Sequence, residues 1–335
     1  MLPGYPVRLS IPIRAGLAAR KLVEAGEPER RKNMSKAFGF VAYGGPEHQE
    51  FLDRPVPVPG PGQLLIAVHA AGVNAADWKI RQGLFGTAEP TPRVLGLEAA
   101  GVVQVLGEGV TGLVVGDPVF GPTPGGAFAE HTLLESDNAA QVPDDVSFTQ
   151  AATLSVAAAT AYDAVEQLGL TPGQVLLVLG VAGGVGSAAA QIAAARGIKV
   201  LGTASDQNRE YVASLGAAQI AYGEGVAGRV KAAAPGGVDG ILDLVGGEDA
   251  RAASAALRPG GRLVSTADPV TAVALGGEAV RRRHGGEVLT ALAALVANGG
   301  LDPHVSETFT LEHAAEAMLA VESGHARGKC VIEIR

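Results

Sequence analysis

A single cysteine, Cys330, in a chain of 335 residues supports neither a disulfide framework nor a cysteine-built zinc site. Positive charge is in deficit as well: 26 Lys and Arg stand against 34 Asp and Glu, a net charge of −8. That balance argues against nucleic acid or an anionic membrane surface as the main partner. Charges and glycines break the alanine-rich runs, so no stretch approaches the roughly 18 consecutive apolar residues of a membrane span. None of the seven histidines is spaced to pair with another plausible ligand, so no metal site is expected. The absences together describe a chain suited to a reducing, cytoplasmic setting and to small-molecule work.

What is present is apolar and glycine-rich. Hydrophobic residues make up 47% and charged residues only 18%, so a large core is available and global disorder is excluded. The length suits two domains. The 47 glycines suit the close backbone packing of α/β sheets and ligand loops. Residues 1–33 differ: seven Lys and Arg against Glu24, Glu27 and Glu29 give +4, without the apolar core of a signal peptide. This segment reads as a flexible, dispensable extension, and Met34 opens an ordinary domain start.

From Met34 to about Val142, short apolar runs between proline and glycine clusters predict a β-rich unit, with strands at Leu64–Val68, Gly101–Val105 and Val114–Val115. The proline-rich Arg54–Gly62 segment cannot be a central strand. From Ala151 the texture changes. Ala151–Leu168 reads as helix, and Val175–Leu179 as a parallel strand buried on both faces. A glycine loop, a helix and a strand at Ile198–Thr203 complete a βαβ unit. Further strands are expected at Gly240–Leu244 and Arg262–Ser265. Residues 156–293 thus form a doubly wound parallel sheet, and the chain is of the α/β class.

The loop reads Gly180-Val-Ala-Gly183-Gly184-Val185-Gly186 and opens a helix with apolar positions at Val185, Ala188, Ala189 and Ile192. A pyrophosphate must approach backbone amides at such a helix start, where a Cβ would block it. The spacing departs by one residue from the usual dinucleotide fingerprint, but the order of strand, loop and helix is the required one. The next strand ends without an acid at its tip. Ser205 and Asn208 can bond the 2′-phosphate of NADPH, and Arg209 adds charge if it turns inward. Asp206 argues for NAD instead, and Gln207 stands where NADPH enzymes often carry Lys or Arg.

Several motifs carry a family resemblance: Tyr43-Gly-Gly-Pro46, Ala71-Gly-Val-Asn-Ala-Ala-Asp-Trp-Lys79, Leu95-Gly-Leu-Glu-Ala-Ala-Gly-Val102, Gly116-Asp-Pro-Val-Phe120, Gly126-Ala-Phe-Ala-Glu130, Leu215-Gly-Ala217 and Gly324-His-Ala-Arg-Gly-Lys329. From Ser35 onward the chain resembles the zinc-free quinone oxidoreductase branch of the medium-chain dehydrogenase/reductase superfamily. The resemblance implies a Rossmann NADP-binding domain at 156–293 and a GroES-like β-barrel catalytic domain split between 34–155 and 294–335. It also implies a homodimer joined through an edge strand.

Where zinc-dependent relatives carry a Cys and a Gly-His-Glu motif, this chain has Val73-Asn74 and Gly96-Leu97-Glu98. Without a Lewis acid the expected substrate is a quinone or a conjugated carbonyl, whose developing charge is delocalised. The resemblance brings Asn74 and Asp77 to the nicotinamide, with Asn74 bonding the nicotinamide ribose or the substrate. It brings Lys79 and Tyr43 to the cleft as polar groups, and Thr160, Tyr222 and Lys329 to the cofactor. Substrate choice is expected from loops 80–93 and 267–286. Two rival readings stand beside this one. An enoyl-thioester reductase would use the basic cluster Arg281-Arg-Arg-His284, and a non-catalytic NADPH-binding protein would keep the same loop.

Overall fold

Prolines and glycines cut the N-terminal third into short strands that close on one another. The computed structural model describes residues 33–283, 285–324 and 326–335; residues 1–32, His284 and His325 lie outside them. Strand β1 (Met34–Phe40) pairs antiparallel with β2 (Gln49–Pro55) and β4 (Arg93–Val94). The long β3 (Gln63–Val73) joins β5 (Glu98–Leu106) and β7 (His131–Glu135), and leads into helix α1 (Ala75–Arg81). Strands β6 (Pro118–Pro122) and β8 (Ala140–Gln141) extend that sheet. Leu64, Ile66 and Val68 face one apolar core with Phe40, Phe128 and Leu134. Val114 and Val115 do not form the expected strand. They lie in the β5–β6 connection, 62% and 61% exposed, where the Asp117 carboxylate accepts the Val114 N–H at 2.8 Å.

The expected helix over 151–168 is three pieces. Helix α2 (Phe148–Ala151) is followed by a π-helical turn, Leu154–Ala158, and by α3 (Ala159–Leu168). The interruption has a tertiary cause. Glu98 Oε2 accepts the Val156 N–H at 2.8 Å, and the Arg282 guanidinium donates to the Ser155 and Val156 carbonyls. Both draw the backbone away from regular α-helical pairing.

The unbroken apolar runs form the parallel sheet. β9 (Val175–Leu179), β10 (Lys199–Thr203), β11 (Ala217–Ile220), β12 (Val238–Asp243), β13 (Leu257–Ser265) and β14 (Glu278–Ala279) stack in the order β11-β10-β9-β12-β13-β14. The order reverses between β9 and β12, the switch point where such sheets bind ligands beyond their carboxyl ends. Helices α4 (Gly184–Ala195), α5 (Arg209–Ser214), α6 (Val226–Ala233), α7 (Gly247–Ser254), α8 (Pro269–Ala274) and α9 (Gly286–Ala297) connect and flank the strands. The chain then returns to the first sheet. β15 (Val305–Thr310), helix α10 (Ala314–Glu322) and β16 (Lys329–Glu333) complete it, with β16 antiparallel to β3. One apolar core runs through both units, holding Ala70, Ala100 and Val331 of the barrel beside Leu176 and Val178 of β9.

Candidate functional site

Beyond the end of β9, the glycine loop forms one wall of a cleft of about 830 Å³. Each glycine has its own reason to be there. Gly180 takes φ 81° in the turn off the strand. A Cβ on Gly186 would lie 2.4 Å from the Gly180 carbonyl oxygen and 2.6 Å from Val181 Cα, so this glycine sets the helix–strand approach. A Cβ on Gly183 would meet nothing closer than 3.7 Å and would project into open cleft. Gly184 underlies the Lys329 stem, whose Cδ would sit 2.7 Å from an added Cβ. Gly183 caps α4 without a side-chain bond, so the first-turn amides at Gly184, Val185 and Gly186 are available to an anion. Cleft volume, bare cradle and uncapped helix fit a dinucleotide.

Ser205, Asp206, Gln207, Asn208 and Tyr222 line the far end, and the Tyr222 side chain is largely exposed there. Arg209 does not turn inward. Its guanidinium donates to Asp206 Oδ1 at 2.8 Å, so the two charges occupy each other on the surface. The cation of this end comes instead from Arg327, which lines the cleft and donates to the Gln207 carbonyl at 3.2 Å. Arg327 sits in the segment between α10 and β16. That segment touches the glycine loop directly, because Gly328 N–H donates to the Ala182 carbonyl at 2.9 Å.

Next to the loop, a buried polar cluster joins four separate segments. Asn74 is the N-cap of α1, and its backbone N–H donates to Asp77 Oδ2 at 2.8 Å. Its Nδ2 donates to Glu98 Oε1 at 2.8 Å and to the Gly72 carbonyl at 3.3 Å. Lys329 Nζ donates to the Val73 carbonyl at 2.9 Å, to Asn74 Oδ1 at 2.6 Å and to Glu98 Oε1 at 2.9 Å. Glu98 is fully buried and Lys329 nearly so. The carboxylate lies across Gly72, where an added Cβ would approach Glu98 and the Ala152 carbonyl. In the sequence alone Glu98 stands out only as the residue after a missing histidine, and the resemblance makes Lys329 a cofactor contact. The Lys329 ammonium points into the barrel, and its stem is the part that faces the loop.

Asp77 does not face the cleft. It is fully buried, with Oδ1 accepting the Gly96 N–H at 3.2 Å, and it completes the capping box of α1. Burial pushes its carboxyl up to about 7, against the pull of the Asn74 and Gly96 amides and of Lys329. The Thr160 hydroxyl is also engaged: it donates to the Val156 carbonyl at 2.6 Å and accepts from Arg282 at 2.6 Å. The Tyr43 hydroxyl donates to the Glu89 carbonyl at 3.0 Å and accepts from Arg93 at 3.3 Å, bracing loop 83–93. Lys79 lies over the Trp78 ring, 5.5 Å from its centroid. The arginine run is no free cationic patch. Arg282 and Arg283 both bond the buried Asp163, and Arg281 bonds Glu278. Among the described residues, no three His, Cys, Asp or Glu side chains are grouped to hold a metal ion.

Comparison with known proteins agrees with this architecture. Residues 60–144 match the alcohol dehydrogenase GroES-like domain family, and residues 215–332 match the zinc-binding dehydrogenase family. The chain is 32% identical over 333 residues to the human synaptic vesicle membrane protein VAT-1 homolog, covering 88% of this chain and 85% of that one. It is 34% identical over 314 residues to the 2-methylene-furan-3-one reductase of Solanum lycopersicum, covering 89% and 78%. The solved structure of Escherichia coli quinone oxidoreductase complexed with NADPH superimposes with a TM-score of 0.81 at 27% identity, covering 89% of this chain and 99% of that one. The chain is an oxidoreductase that belongs to the medium-chain dehydrogenase/reductase superfamily, in its quinone oxidoreductase-like branch.

Proposed function

We propose that this protein is a zinc-independent, NADPH-dependent reductase of quinones or α,β-unsaturated carbonyls. The observation that carries the cofactor reading is the cleft itself, with a glycine cradle on one wall and a cation at its far end. Pyrophosphate fits the amides of Gly184, Val185 and Gly186. The adenosine end falls to Ser205, Asn208 and Tyr222, with Arg327 across the cleft as the 2′-phosphate cation. A carboxylate at that position would repel the phosphate, and Asp206 is held by Arg209. The nicotinamide half then runs toward Asn74, one lysine side chain away from the loop.

Bound there, the cofactor supplies a hydride. The protein's part is to bind, orient and exclude water. Zinc independence is supported by the occupant of the barrel's polar pocket: the Lys329 ammonium fills the space between Val73 O, Asn74 Oδ1 and Glu98 Oε1. With no Lewis acid at that spot, a substrate that delocalises its own developing charge is favoured. Leu84 and Phe85, exposed on loop 80–93, offer an apolar surface for such a planar molecule.

We assign 34–155 and 294–335 to the catalytic unit and 156–293 to the cofactor unit. A homodimer is proposed through the edge of the parallel sheet, where β14 is only two residues long and α8 exposes Val270 and Val273. Among the described residues, no helix is long and apolar enough to cross a membrane, and we propose a cytoplasmic location. The deciding experiment follows oxidation of NADPH and of NADH against 1,4-quinones, simple enones and crotonyl-thioester, with and without chelator. NADPH-preferring, chelator-insensitive turnover of quinone or enone is expected. Preference for NADH, loss with chelator, or binding without any turnover would each overturn the corresponding part.

A further inference from the structure

We propose that Glu98 is a positioning residue that makes Asn74 a one-sided hydrogen-bond acceptor, dedicated to a hydroxyl of the cofactor's nicotinamide half and closed to the substrate's carbonyl oxygen. This rests on the NADPH reading above and assigns Asn74 to the cofactor alone.

An ammonium has three protons. Those of Lys329 go to Val73 O, Asn74 Oδ1 and Glu98 Oε1. An amide nitrogen has two, and those of Asn74 go to Gly72 O and Glu98 Oε1. Glu98 is saturated on its other side, where Oε2 accepts from Ser155 Oγ at 3.1 Å and Val156 N at 2.8 Å. Neither Lys329 nor the Asn74 side chain has a proton left to give. One capacity remains open: the second lone pair of Asn74 Oδ1. A ribose hydroxyl, which donates, can use it. A ketone, quinone or enolate oxygen, which only accepts, cannot.

Glu98 fixes this polarity. Were the Asn74 amide to turn over, its NH₂ would face the Lys329 ammonium and its oxygen would face the Glu98 carboxylate, donor against donor and acceptor against acceptor. Glu98 reaches Asn74 from β5, while its other oxygen grips the π-turn at Ser155 and Val156. The hydroxyl acceptor is thereby set from β5 and the π-turn, through Glu98.

The test compares two ligands on three proteins. NADPH carries the nicotinamide ribose; adenosine 2′,5′-bisphosphate carries the 2′-phosphate end without it. Dissociation constants are measured for the wild type, for the double variant Glu98→Gln/Lys329→Met, and for Ser155→Ala. The double variant removes both charges together, so neither is left buried and unpaired. It is expected to weaken NADPH on the order of tenfold, the loss of one well-set hydrogen bond, and to bind the bisphosphate as the wild type does. Ser155→Ala, which removes one of the four bonds to Glu98, is expected to show a smaller loss with the same selectivity. It decides alone if the double variant does not fold. Equal losses for both ligands, or no loss for NADPH, would overturn the positioning role while leaving the NADPH reading intact. A wild type that binds neither ligand would overturn both.

Discussion

Lys329 and Glu98 meet at 2.9 Å, both buried, though they stand 231 positions apart in the chain. Removing one partner strands the other charge away from water, which costs far more than removing both. Lys329→Met alone is expected to lower unfolding free energy by about 3–5 kcal/mol, and the double variant Glu98→Gln/Lys329→Met by much less. A double-mutant cycle in urea denaturation checks this. Additive losses would mean that the pair is not coupled.

The glycines of the loop should separate into two kinds. Gly186→Ala forces a methyl against the Gly180 carbonyl and Val181, so stability and cofactor affinity should fall together. Gly183→Ala meets no atom within 3.7 Å and should cost the fold no more than about 1 kcal/mol as a poorer helix cap. Its methyl stands where the pyrophosphate approaches, so NADPH affinity should drop at least tenfold, about 1.4 kcal/mol or more. Thermal melts and cofactor titration of both variants distinguish the two.

Arg327→Gln tests the cation of the far end. The expected outcome is a loss of roughly tenfold or more in kcat/KM for NADPH with NADH nearly unchanged, as a charge-assisted phosphate contact requires. The same loss for both cofactors would mean that Arg327 only braces the segment through the Gln207 carbonyl.

Asp77 makes stability depend on pH. Its carboxyl is raised from an ordinary value near 3.8 to about 7 in the folded protein, so the folded state holds the proton more tightly than the unfolded one. Its contribution is therefore fully present below pH 4 and is lost as pH rises through 7, by about 4 kcal/mol over the whole window. The stability difference between wild type and Asp77→Asn, measured at pH 4.5 and 7.5, should shift against the wild type at the higher pH. A pH-independent difference would contradict the raised value.

What was legible in the sequence was local. The apolar run Val175–Leu179, the glycines after it and the helical spacing at Val185, Ala188, Ala189 and Ile192 lie within one βαβ unit, and each leaves a periodic trace. The side chains that finish the site leave none. Arg327 reaches Gln207 across 120 positions, and Arg282 reaches Thr160 across 122. Within its own neighbourhood, Arg281-Arg-Arg reads as a surface charge run; only the fold reveals Asp163 beneath it. The π-turn was hidden for the same reason. Leu154-Ser-Val-Ala-Ala158 contains no helix breaker, and the bond that diverts it comes from Glu98, 58 positions earlier.

The distances along the chain also set an order of events during synthesis. Asn74 and Glu98 emerge from the ribosome early, but their partner Lys329 lies 255 and 231 positions further on. β3 likewise waits for β16 to cover its open side. Most of what is translated in between, residues 175–279, is the parallel sheet and its glycine loop. The parallel sheet and its glycine loop are thus made before the barrel can close. A chain cut short between α10 and β16 would leave Glu98 without its buried cation and β3 with a bare edge, a template for pairing with other chains.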